Sequence, residues 1–163
     1  MNKLQKICAF LLGLAFVISL TLNIVFVRYP KARDSVPSIR LSKKISGNEL
    51  ANLLSEKFPD ANILVMDGWY YLINKEDFDK LLVYDKTDRH EYIPEVYDCD
   101  DFAFDLWRNI SRLYHIAIGV VFIYFDSIGH AINCYVDTDL NVHLIEPQSD
   151  EYIHYSSVNR III

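Results

Sequence analysis

A single cysteine stands among acidic residues in segment 97–103. The order there is Tyr-Asp-Cys-Asp-Asp-Phe-Ala, which places Cys99 directly between Asp98 and Asp100. A thiolate attacks carbonyl carbon well, and a nearby imidazole can take up the thiol proton and return it to the leaving group. Adjacent carboxylates disfavour a thiolate unless a cation neutralises them. The segment therefore predicts a nucleophilic cysteine that works beside a bound cation.

The imidazole and a third group are expected further along the chain. His130 follows a glycine at the start of a predicted strand, and Glu146 lies 16 residues later near the end of another. A tight turn between these strands would place the two side chains next to each other, where the carboxylate can orient the ring. Two less specific interpretations remain. His130 could be a structural histidine, and Glu146 could be a solvated charge that ends a strand.

Oxygen donors accompany these residues. Asp100, Asp101 and Gln148 supply carboxylate and amide oxygens, and Asp150 follows closely. Such ligands are typical of calcium or manganese sites. We therefore predict Asp100, Asp101 and Gln148 as ligands of Ca²⁺ or Mn²⁺, although Asp101 could serve only as an acid in the first turn of a helix.

Capping signals and periodicity predict the elements that position these side chains. Ser46 and Glu49 form a capping-box pattern, and Asp98 is placed to cap the helix that begins at Cys99. Helices are predicted over 46–57, 75–84 and 99–114. Strands are predicted over 62–66 and 69–73, as a hairpin around Asp67-Gly68, and over 120–125, 130–136 and 142–145, as a meander. The fold class predicted is α+β, with helices packed on an antiparallel sheet.

The N-terminal region differs from the rest of the chain. Lys3 and Lys6 precede a run of 21 uncharged residues at 7–27, which is long enough to cross a bilayer as a helix. We predict a transmembrane anchor at 1–28, a linker at 29–44 and a domain at 45–163. A cleaved signal peptide is the alternative, but no small-residue cleavage site precedes Arg28. Basic residues flank the run on both sides, so the orientation stays open, with an extracytoplasmic domain favoured.

Composition narrows the function classes further. The net charge of −6 argues against binding to nucleic acid, since such proteins present basic surfaces. The three cysteines, of which Cys8 lies in the apolar run, do not form a disulfide framework. Nothing in the sequence indicates an oligomeric state.

Three short motifs together resemble a known family. Cys-Asp-Asp-Phe-Ala at 99–103, Gly-His-Ala at 129–131 and Glu-Pro-Gln at 146–148 are similar to the C-terminal cysteine-protease domain of the mushroom agglutinin family. Transglutaminase-like cysteine peptidases carry similar stretches. The resemblance implies a papain-like fold, Cys99 as nucleophile, His130 as base and Glu146 as orienting acid. It also implies that Asp100, Asp101 and Gln148 bind calcium or manganese.

The resulting expectation is a membrane-anchored cysteine peptidase, dependent on a divalent cation, that cleaves peptide or isopeptide bonds in a protein substrate. Acyl transfer to an amine is a variant of the same chemistry. The glutamine that usually precedes the cysteine in papain-like enzymes is missing, so an oxyanion would depend on the Cys99 amide with Tyr97 or Tyr92. The alternative is a catalytically silent module of the same fold that keeps the metal site as a binding surface at the membrane.

Overall fold

Helices occupy the positions that capping and periodicity predict. A computed structural model describes residues 35–125 and 128–163. Its α-helices are α1 (Gly47–Lys57), α2 (Lys75–Tyr84) and α3 (Cys99–Leu113). The side chain of Ser46 accepts from the amide of Glu49 and the Glu49 carboxylate returns to the Ser46 amide, so the predicted capping box is confirmed.

Most of the strands form one sheet, and the meander predicted within it is confirmed. The strands are β1 (Lys44–Ser46), β2 (Asn62–Leu64), β3 (Trp69–Tyr71), β4 (Ile118–Phe125), β5 (Ile128–Val136), β6 (Val142–Glu146), β7 (Glu151–Ile153) and β8 (Arg160–Ile162). Among the described residues the main sheet has the order β2-β8-β4-β5-β6-β7, and β1 pairs separately with β3. All pairs are antiparallel except β2 with β8.

The predicted hairpin around Asp67-Gly68 is wrong. β2 pairs in parallel with β8, whereas β3 pairs with β1, so the two strands belong to different sheets. The turn between them packs instead on the start of α1, where Gly47 donates its amide to the carbonyl of Gly68. A Cβ at Gly47 would lie 2.4 Å from the Asp67 carbonyl oxygen, so this contact requires glycine. Tertiary contacts override the local turn signal here.

The core lies where helices cover the main sheet. Leu50 and Leu54 of α1 and Phe78 of α2 are completely buried, as are Leu106 of α3 and Ile132 of β5. The prediction of a mixed α+β domain with helices packed on sheet is confirmed. The narrower assignment to the papain-like type stays a prediction.

The predicted membrane anchor at 1–28 lies outside the described residues, as do residues 29–34 of the predicted linker. Within residues 35–125 and 128–163, no helix has both the length and the apolar character needed to span a bilayer.

Candidate functional site

The cysteine lies at the first position of α3. Asp98 is the N-cap of this helix, and its backbone amide donates to the carboxylate of Asp101 at 3.2 Å. Cys99 is half-buried and packs against the small apolar cluster that contains Ala103 and Ala131. Because Ala131 directly follows His130 in β5, this contact brings the tip of α3 to the strand that carries the histidine.

A buried asparagine fixes α3 on the sheet. Asn133 of β5 is completely buried, and its amide nitrogen donates to the carbonyls of Ala103 at 2.9 Å and Gly119 at 3.1 Å. The side chain thus joins α3, β4 and β5 one helical turn below Cys99. Sequence reasoning missed this residue, although a lone polar side chain in an apolar strand is a recognisable signal of a buried hydrogen-bonding role.

His130 and Glu146 are in contact. The His130 Nε2 atom lies 2.7 Å from a carboxylate oxygen of Glu146, and both side chains are largely buried. The register explains the contact, because Asn133 faces Ile145 and Glu146 therefore sits diagonally from His130 on the same face. The other ring nitrogen, Nδ1, takes no part in this contact. Among the described residues, no hydrogen bond joins this ring to the Cys99 sulfur.

A cluster of potential ligand atoms surrounds Cys99. One side-chain ligand atom from each of Asp98, Cys99 and Asp100 lies within 4.8 Å of the other two. A hydrogen bond between the two carboxyl groups lowers the pKa of Asp98 and, together with burial, raises the pKa of Asp100. A cation bound between the two carboxylates would offset their mutual repulsion.

The remaining predicted ligands have other partners. Asp101 accepts the hydrogen bond from the Asp98 amide that belongs to the helix cap. The backbone amide of Gln148 donates to Glu146 at 3.3 Å, which places residue 148 beside the His130–Glu146 pair. Asp98 was treated only as a cap by the sequence analysis, yet it shares the Cys99 cluster because the N-cap and first-turn side chains surround the same helix end.

The two tyrosines considered as oxyanion donors differ in their surroundings. The Tyr97 hydroxyl donates to Asp105 at 2.8 Å, and burial together with that carboxylate raises the pKa of Tyr97 well above its usual range. The hydroxyl proton of Tyr97 is therefore used in the bond to Asp105 and is not directed at an oxyanion beside the Cys99 amide. Tyr92 is half exposed, and its ring stacks on Phe102 with centroids 6.5 Å apart.

The comparisons with known proteins give structural neighbours only. No protein-family model matches the sequence, and no curated protein matches it. One similar solved structure is described as a PSL1a-E64 complex, with a TM-score of 0.66 and 18% identity. Another is a Polyporus squamosus lectin bound to a human-type influenza-binding epitope, Neu5Aca2-6Galb1-4GlcNAc, with a TM-score of 0.65 and 18% identity.

These matches show a shared fold. They cover 74% of this chain, which spans only about half the length of those proteins, 50% and 49%. The Polyporus squamosus lectin is consistent with the resemblance to the mushroom agglutinin family. The link to the papain-like protease domain within that family is not among these findings.

The predicted enzyme is wrong. The finding that contradicts it is the neighbour whose function is stated, which is a lectin in complex with a glycan. The predicted cleavage of peptide or isopeptide bonds is contradicted together with the enzyme. The alternative prediction, a catalytically silent interaction module, agrees better with the comparison. The physical reason for the error is that one fold carries unrelated functions, so the spacing of Cys99, His130 and Glu146 does not by itself fix a reaction.

Proposed function

We propose that this chain is a non-catalytic binding module in which the tip of α3 holds a divalent cation, Ca²⁺ or Mn²⁺. The observation that carries the proposal is the convergence of Asp98, Cys99 and Asp100 ligand atoms within 4.8 Å at the helix end. Two carboxylates supply hard oxygen ligands of the kind these cations prefer. Asp98 and Asp100 are the central ligands in this proposal, and Asp101 and Gln148 are the additional ligands that the sequence indicates.

The carboxyl pair supports a cation over a purely structural role. The interaction between these two carboxyl groups lowers the pKa of Asp98 and raises the pKa of Asp100, as expected for two acids that share one site. At neutral pH two adjacent carboxylates repel each other unless a positive charge lies between them. A divalent cation supplies that charge and also offsets the negative charge around the Cys99 sulfur.

The proposed partner is a carbohydrate, free or carried by a glycoprotein. Calcium binds six to eight oxygen ligands, so a site built from a few side chains leaves positions for hydroxyl oxygens of a partner. The exposed face of Tyr92 lies on the α3 side of the site, where Phe102 supports the ring from behind. Aromatic rings of this kind pack against apolar faces of ligands. The lectin neighbour bound to a glycan agrees with this class of partner.

The proposal includes the location of the module. Residues 1–28 would anchor it in a membrane, and residues 29–44 would act as a tether. An extracytoplasmic domain would face surface glycans, which agrees with the favoured orientation. Nucleic acid is not a proposed partner, because the chain carries a net charge of −6.

Cation binding is tested by titrating the full chain with CaCl₂ or MnCl₂ and following thermal unfolding. A ligand at 100 times its dissociation constant stabilises the folded state by about 2.7 kcal/mol. We expect Asp100→Asn to remove most of that stabilisation. Glu76→Gln is the matched control, because Glu76 is the second residue of α2 just as Asp100 is the second residue of α3.

The outcomes separate the possibilities clearly. If millimolar calcium and manganese leave the unfolding temperature unchanged, or if Asp100→Asn responds like Glu76→Gln, the cation site does not exist. A glycan array read with calcium and then with EDTA tests the partner. Binding that is lost with EDTA and with Asp100→Asn supports the module, whereas the absence of any glycan signal refutes the proposed partner class.

A further inference from the structure

A cavity of about 490 Å³ lies on the side of the domain formed by the C-terminal half of α3. Its size falls in the range typical of sites for small molecules. The Cys99 cluster does not line this cavity, since its lining begins with the second half of α3. Aromatic, basic and aliphatic side chains line it together with one acid, Asp67.

Apolar surfaces form much of the cavity wall. Ile116 and Ile118 are buried, and the half-buried indole of Trp107 stands beside them. The His115 ring stacks on Tyr70 with centroids 5.3 Å apart, which holds both rings flat against one another. These surfaces fit a flat, ring-bearing ligand.

One cationic group in this cavity lacks a partner. Arg108 forms an ion pair with Asp105, whereas Arg112 has no ion pair or hydrogen bond among the described residues. Arg112 is exposed in the last turn of α3, where the helix dipole favours positive charge. A guanidinium in this state presents two parallel donors, which match the two oxygens of a carboxylate.

The acid in the cavity sets a limit on the ligand. Asp67 keeps 60% of its side chain exposed, and one of its carboxylate oxygens lies 4.0 Å from the Nδ1 atom of His115. Arg108 is paired with Asp105, so the charges that face a ligand are Arg112, which has no ion pair among the described residues, and the largely exposed Asp67. The cavity therefore favours a ligand with a single negative charge. A second negative charge would face the Asp67 carboxylate.

We propose that this cavity is a binding site for small monocarboxylates that carry a flat apolar ring. The carboxylate pairs with the guanidinium of Arg112, and the ring packs against Trp107 and the buried isoleucines. The site is separate from the proposed cation site and does not depend on it.

The test measures binding of 1-naphthoate to the full chain by NMR, with 1-naphthalenemethanol as the uncharged analogue. We expect naphthoate to shift the indole N–H signal of Trp107, which is distinguished from Trp69 with the variant Trp69→Phe. Arg112→Gln should weaken naphthoate binding at least about tenfold, since it removes a charge-assisted hydrogen-bonded pair. Lys57→Gln is the matched control, because Lys57 is the basic residue in the last turn of α1.

Three results would overturn the proposal. The first is equal affinity for the acid and the alcohol, the second is an Arg112→Gln variant that binds like Lys57→Gln, and the third is no binding of naphthoate. Naphthalene-1,4-dicarboxylate should bind more weakly than naphthoate, and tighter binding would contradict the role of Asp67. Repeating the titration in Asp100→Asn keeps the two proposals distinct, because this variant should bind naphthoate unchanged.

Discussion

Asn133 offers the sharpest test of how the site is held in place. Its amide nitrogen donates to the carbonyls of Ala103 and Gly119, and its own carbonyl oxygen has no hydrogen-bond partner among the described residues. Replacement by aspartate would turn a donor into a charged acceptor that faces two carbonyl oxygens. Replacement by leucine would remove both hydrogen bonds and also the unpaired oxygen.

The magnitudes of the two changes differ. Two neutral hydrogen bonds contribute about 1 kcal/mol each, and an unsatisfied buried acceptor costs about 1–3 kcal/mol. Asn133→Leu should therefore lower the free energy of unfolding by about 2 kcal/mol or less. Asn133→Asp should lower it by at least about 3 kcal/mol, because it leaves an uncompensated charge at a completely buried position.

Urea unfolding of the full chain measures both values from the transition midpoint and slope. Asn48→Asp is the control, because Asn48 is exposed in the first turn of α1 and tolerates a negative charge there. If Asn133→Asp unfolds at the same urea concentration as Asn133→Leu, the amide does not donate to the two carbonyls. The assignment of Asn133 as the link between α3 and the sheet would then be refuted.

Three further predictions concern packing, pH and thiol access. Gly119→Ala should lower the free energy of unfolding in urea by about 1–3 kcal/mol, because its Cβ would lie 2.3 Å from a carbonyl oxygen of β8. Gly129→Ala is the control, since its Cβ would meet only an exposed ring at 3.3 Å and should change the free energy of unfolding little. Burial and two nearby aspartates raise the pKa of Asp150 to about 6, so its ionisation destabilises the fold as pH rises from about 4 to 6. Asp150→Asn should accordingly raise the free energy of unfolding by about 1 kcal/mol above pH 6, after allowance for partial exposure of the carboxylate, and should leave it unchanged near pH 3. An equal gain in stability at both pH values would contradict this prediction. Iodoacetamide should modify Cys99 in the folded chain but Cys134 only after unfolding, because burial raises the pKa of Cys134 to about 12. Mass spectrometry of digests measures the labelling, and modification of Cys134 in the folded chain would contradict the prediction.

The comparison changes how the Cys99, His130 and Glu146 set is interpreted. Such a set at this spacing is typical of a thiol enzyme, and the sequence analysis followed that pattern. Because one fold can carry unrelated functions, the set predicts the arrangement of the elements better than it predicts a reaction.

The sequence by itself determined the local elements and much of the site. Helices α1, α2 and α3 begin where Ser46, Asn74 and Asp98 supply N-caps, because capping and 3.6-residue periodicity act over a few residues. The contact between His130 and Glu146 also follows from local information, since a short turn and the period of two in strands fix which residues share a face.

Only the tertiary structure decided the remaining features. The parallel pairing of β2 with β8 joins segments about a hundred residues apart, and no local turn signal encodes it. The role of Asn133 likewise depends on which backbone groups the fold brings near it, and so does the lack of an ion pair at Arg112 within the part of the chain that the structure describes. Contacts between residues far apart in the sequence are set by the packing of the whole domain. A single sequence therefore predicts the helices and strands more directly than it predicts which of them pack together.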